Sequence, residues 1–142
     1  MKLVYESEDD IASVQLVGEI AEGEVAQDIG PQLTPHRQTI TMGYDDAGNL
    51  LVIELWAASR ILRPEVLRSG SVGLTYDRAA DVARLRLTGD VVDESELLLV
   101  GPQLTPTGDR IVLAYDREDY LVHIDVEGAD RVLRAETLAA AS

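Results

Sequence analysis

A shift of 71 positions lays the second half of this 142-residue chain over the first without a gap. Tyr5 falls on Tyr76, Asp10 on Asp81, Leu16 on Leu87 and Gly18 on Gly89. Gly30-Pro31-Gln32-Leu33-Thr34-Pro35 falls on Gly101-Pro102-Gln103-Leu104-Thr105-Pro106 with all six residues identical. Ile40, Tyr44, Asp45, Leu50 and Ile53 fall on Ile111, Tyr115, Asp116, Leu121 and Ile124. Arg60, Leu62, Arg63, Glu65 and Leu67 fall on Arg131, Leu133, Arg134, Glu136 and Leu138. Between Leu3 and Leu67, 23 of 65 positions agree. Such a repeat restricts the fold to two copies of one layout. The expected division is 1–70 and 71–142, with the units packed as one globular body.

Each unit reads as four strands and a helix. Lys2–Tyr5 and Ala12–Val17 are short strands joined by an acidic turn. Ala12, Val14 and Leu16 alternate with Ser13 and Gln15, the period of a half-buried antiparallel strand. Ile40, Met42 and Tyr44 alternate in the third. Asp45-Asp46-Ala47-Gly48-Asn49 is a hairpin turn. In the fourth strand Leu51, Ile53 and Leu55 point one way, and Val52, Glu54 and Trp56 the other. Ser59 and Asp130 fit helix N-caps, and Pro64 fits a first helical turn. The second helix is expected to run from about Asp130 into the Ala-rich C-terminus. The fold class is therefore α+β: two ββββα units with antiparallel sheet, forming an intramolecular pseudo-twofold dimer.

Composition narrows the chemistry. There is no Phe and one Trp, so the core is aliphatic. Cysteine is absent, which removes disulfides, thiolate nucleophiles and Cys-ligated metals together. The net charge is −14, shared as −7 in each half. So acidic a chain repels nucleic acid and anionic lipid and suits a basic protein partner. The N-terminus has no apolar leader segment and the longest aliphatic run, Leu97 to Val100, is far short of a membrane span. The cytoplasm is the default expectation.

Tyr76-Asp77, Asp81 and the alternating stretch Val82 to Leu87 resemble the opening of domain-of-unknown-function family 2283, a small bacterial and archaeal domain. Tyr5-Glu6, Asp10 and Ile11 to Leu16 repeat it. The run from Tyr44-Asp45 through Gly48 and Glu54 to Ala57-Ala58-Ser59 is similar to the family's hairpin. Tyr115-Asp116 to Ala129-Asp130 is a looser version, with Asp119 in place of the turn glycine. The resemblance implies a small α+β unit in tandem duplicate and brings no activity with it.

Four sets of residues are candidates for function. The duplicated segments could be contact loops through Gly30, Pro31, Gln32 and Thr34 and through Gly101, Pro102, Gln103 and Thr105. Their residue types equally suit a bend, with Leu33 and Leu104 plugging the core and Thr-Pro entering the next strand. The acidic turns, Asp45-Asp46 and Asp116 with Glu118 and Asp119, offer oxygen ligands but lack the spacing of a calcium loop. His123 and Asp125 share one strand face and could serve acid–base chemistry or one metal ion; an interface pair is the plainer reading. Arg60, Arg63, Arg131 and Arg134 are expected to pair with the chain's own carboxylates. No Ser-His-Asp spacing, phosphate loop or HExxH motif occurs, so no catalytic residue, cofactor or metal is assigned. The expected function is a non-enzymatic interaction module binding a basic protein, antitoxin-like in one version, as a monomer or a homodimer of pseudo-dimers. The alternative is a small-ligand or divalent-metal-binding protein, at most a minor enzyme using acidic residues.

Overall fold

The computed structural model describes residues 1–33, 38–89 and 93–141, with only the backbone of 30–33. Each half forms one five-stranded antiparallel sheet. The first contains β1 (Lys2–Glu6), β2 (Ile11–Gln15), β3 (Gln27–Leu33), β4 (Thr39–Tyr44) and β5 (Leu50–Trp56) in the order β1-β2-β5-β4-β3. The second repeats that order with β6 (Gly73–Asp77), β7 (Val82–Arg86), β8 (Leu98–Leu104), β9 (Arg110–Tyr115) and β10 (Leu121–Glu127), as β6-β7-β10-β9-β8. The α+β class and the repeated unit are as the sequence suggests.

The strand count per unit is five, not four. The extra strand in each copy is the Gly-Pro segment itself, β3 and β8, lying at the sheet edge. Its pairing with the next strand skips between Ile29 and Gln32, and again between Val100 and Gln103. Gly-Pro thus makes a bulge in an edge strand, where a missing N–H is tolerated. Gly101 has φ +124°, and a Cβ there would lie 3.1 Å from the Ile111 carbonyl oxygen. Leu104 does not plug the core; it is 58% exposed. Thr105 belongs to the turn after β8, its N–H bonded to the Asp109 carbonyl.

A second bulge corrects the inward set. Tyr44 pairs with Leu50 but Gly43 with Val52, so Leu51 is the extra residue; Val122 takes that place in the second sheet. Leu50, Ile53 and Leu55 consequently face the core cluster, with Leu121, Ile124 and Val126 in the repeat. Leu51 is buried outside that cluster, and its carbonyl accepts the Leu16 N–H. One apolar cluster holds side chains from both halves, among them Val14, Ile40 and Leu62 of the first and Leu85, Ile111 and Leu133 of the second.

The tails are short. A 3-10 turn at Ala58–Arg60 precedes α1 (Pro64–Ser69), which has Pro64 at its start and ends at Gly70 with φ +65°. The second tail is broken into α2 (Ala129–Val132) and α3 (Ala135–Ala139), with Leu133 and Arg134 extended between them. Ser59 and Asp130 are not N-caps: Ala57 and Gly128, both left-handed, take that position. Among the described residues no helix is long and apolar enough to cross a membrane.

Candidate functional site

The hairpin aspartates are structural keystones. One oxygen of Asp45 accepts the N–H groups of Ala47 and Asn49 at 3.0 and 2.8 Å, which ties the turn. The other oxygen accepts Nε and Nη2 of Arg134 from the second half, at 3.2 and 3.0 Å. Asp116 does the same in reverse. Its Oδ1 accepts the N–H groups of Glu118 and Tyr120, and its Oδ2 accepts Nε and Nη2 of Arg63 from the first half at 3.1 and 2.8 Å. Burial alone would push Asp45 up, but the Asn49 N–H, the Arg134 guanidinium and the Asn49 side chain outweigh it and hold its carboxyl low. Each arginine adds a partner peculiar to its copy: Arg134 meets Glu24 at 2.7 Å, and Arg63 donates to the Thr88 hydroxyl. These residues are committed to joining the halves. Among the described residues no group of three or more His, Cys, Asp or Glu could hold a metal ion.

Asp10 and Asp81 form a second duplicated knot. Both have φ +53°, unusual for a residue with a side chain. Asp10 accepts the Tyr5 hydroxyl at 2.8 Å and the N–H and hydroxyl of Ser59 at 2.9 and 2.6 Å. Asp81 accepts the Tyr76 hydroxyl at 2.6 Å and the Asp130 N–H at 3.0 Å. Where Ser59 offers a hydroxyl, the second copy presents a carboxyl. Asp130 is accordingly pushed above the usual carboxylate range, first by its hydrogen bond to Asp81 and then by desolvation. The Tyr-Asp spacing carries this knot, and sequence reading noted the spacing without its partner at 59 and 130.

His123 and Asp125 do share a face of β10, but they do not form a working pair. His123 Nδ1 lies 3.6 Å from Asp125 Oδ1, too far for a hydrogen bond. Both Asp125 oxygens are taken by Arg84, at 2.8 and 3.0 Å, and Arg84 also reaches Glu94. Sequence reading missed Arg84 as a site residue. The register that sets it opposite Asp125 supplies the signal. His123 is 6% exposed, and neither ring nitrogen has a hydrogen-bond partner among the described residues. Burial, then the Arg84 charge, lower its pKa, so the ring is neutral at pH 7.

Gly101, Pro102 and Gln103 sit in the bulge of β8, and Gly30, Pro31 and Gln32 in the backbone of β3. Thr34 lies outside the described residues. Each segment forms the outer strand of its own sheet, β3 beside β4 and β8 beside β9.

The sequence profile of a family described as protein of unknown function (DUF2283) matches residues 74–129. That stretch is similar to DUF2283. The match runs from Leu74, the second residue of β6, to Ala129, the first of α2, and so takes in the five strands of the second sheet save Gly73. In this chain the matched stretch is the five-stranded antiparallel sheet of the second half, and the first half builds a second sheet of the same strand order. Neither the curated proteins nor the solved structures give a match to the chain.

Proposed function

We propose that the protein is a non-enzymatic interaction module of the cytoplasm whose anionic surface engages a basic protein. Its two DUF2283-like units form one body about a pseudo-twofold axis. The observation that carries this reading is how the chain spends its few cations. Arg63, Arg84, Arg131 and Arg134 are all turned onto the chain's own carboxylates. With 12 basic against 26 acidic side chains, the surplus that faces outward is negative. The reciprocal contacts, Arg63 to Asp116 and Arg134 to Asp45, are the arithmetic of an isologous interface: residue i meets j of the other unit, and j meets i. An antitoxin-like role beside a small basic toxin is one concrete form. The ligand- or metal-binding alternative leans on His123 and Asp125, and Asp125 has both oxygens on Arg84.

A pull-down from host lysate with the full chain as bait tests this. The expected result is recovery of a net-basic protein that is released as salt rises through a few tenths molar. Recovery of no partner above background contradicts the proposal.

A further inference from the structure

The two edge strands share a bulge yet differ in surface. β3 opens with Gln27-Asp28, and β8 opens with Leu98-Leu99. Leu98 is 53% exposed and Leu99 63%. Successive residues of a strand face opposite sides of its sheet, so both faces are bare at this edge. β8 ends the strand order of its sheet among the described residues. An edge with bare leucines is a template for another strand, and soluble proteins ordinarily suppress it with charge. Here the charge has been placed beside the edge instead. Leu97, just before β8, walls a shallow hollow with four carboxylates (Asp93, Glu96, Asp116, Glu118) and two guanidiniums (Arg63, Arg117), a formal charge of −2. Both guanidiniums are already engaged, Arg63 by Asp116 and Arg117 by Glu96 at 2.8 Å.

We propose that β8 is a docking edge for an extended segment of a cationic partner protein. Apolar residues of that segment lie against Leu98 and Leu99, and its terminal Lys or Arg enters the acidic hollow beside Leu97. The inference rests on the interaction-module reading and gives it a place and a partner chemistry. Charge decides the occupant. A second copy of this chain would bring another −14 and a second acidic hollow to the same edge, whereas a basic segment is attracted to both. The bulge at Gly101-Pro102 confines the added pairing to the start of β8, since Pro102 has no N–H to donate.

The test uses the full chain and a fluorescein-labelled peptide of alternating Val and Thr ending in Lys-Lys, read by anisotropy. The wild type is expected to bind saturably. Replacing both leucines, Leu98→Ser with Leu99→Ser, should weaken binding at least tenfold. Val4→Ser, on an edge strand of the other sheet, should leave it within twofold. Ending the peptide in Glu-Glu should weaken it at least tenfold. Unchanged affinity in the double-serine variant overturns the docking edge while leaving the interaction module standing. Equal binding of the Glu-Glu peptide overturns both. Absence of binding by the Lys-Lys peptide overturns the docking edge, as does a wild-type dimer in sedimentation that the double-serine variant dissolves.

Discussion

Tyr44 and Tyr115 occupy the same place in their sheets, both fully buried, and differ in what their hydroxyls meet. Tyr44 donates to Met42 Sδ at 3.9 Å; Leu113 stands at the matching position, and the Tyr115 hydroxyl has no partner among the described residues. A buried hydroxyl without a bond costs about 1–3 kcal/mol. Tyr115→Phe should therefore raise stability by about 1 kcal/mol in urea unfolding, and more than Tyr44→Phe does. His123 carries a similar cost with a pH signature. Its pKa is depressed in the fold by burial and then by Arg84, so the unfolded chain takes up a proton where the folded chain does not. Stability should fall as pH drops through about 6.5. His123→Val, the residue already present at position 52, should remove that segment of the pH profile and raise the unfolding midpoint at pH 6. Asp130 titrates in the opposite sense. Its folded pKa is raised by Asp81, so its contribution is favourable in acid and is lost as pH rises through that folded value. Asp130→Ser, copying Ser59, should stabilise at pH 7 and not at pH 3.

At the scale of elements, the bulged edge strands make the clearest case. Gly101→Ala forces a side chain into φ +124° and against the Ile111 carbonyl. It should cost about 1–3 kcal/mol, measured by the urea midpoint. The alternating strands β2, β4, β7 and β9 were legible because one residue in two is apolar and faces a single core. β3 and β8 were not, because among their described side chains only Ile29 and Val100 pack against the core, which leaves no alternation to read. Gln27-Asp28 carries no apolar alternation, Leu98-Leu99 belongs to the short aliphatic run Leu97 to Val100, and both pairs are exposed strand. The inward residue of β5 was misplaced by one, since a bulge at Leu51 flips the pleat and leaves no mark in composition. The second tail read as one helix because its alanines favour one, yet the chain extends at Leu133-Arg134. That break delivers Arg134 to Asp45, so a tertiary ion pair overrides local propensity. At the candidate site, the arginine–carboxylate pairing was foreseeable from charge balance. Which half each arginine would serve was not, because the pairs cross between repeats.

For the whole molecule, the decisive features are the single apolar cluster and the paired seam. Each sheet has one inner face of aliphatic side chains, and both inner faces contribute to one cluster. About 70 residues bury little on their own. The hairpins also meet directly, a Cβ at Gly48 falling 3.0 Å from the Thr107 methyl. Thr137 donates from α3 to the Leu16 carbonyl at 2.9 Å, a bond with no counterpart because Val66 stands at the matching position. Asp45→Asn should loosen both the turn and the seam, costing about 1–2 kcal/mol at pH 7. Its effect should shrink as pH falls from the ordinary carboxylate range through the depressed folded value, where the wild-type carboxyl itself becomes protonated. Sedimentation of the isolated first half, cut after Gly70, combined with its unfolding curve, bears hardest on the mutual burial of the halves. It should be either a dimer or a species without a cooperative transition. A well-folded monomer at micromolar concentration would contradict the account.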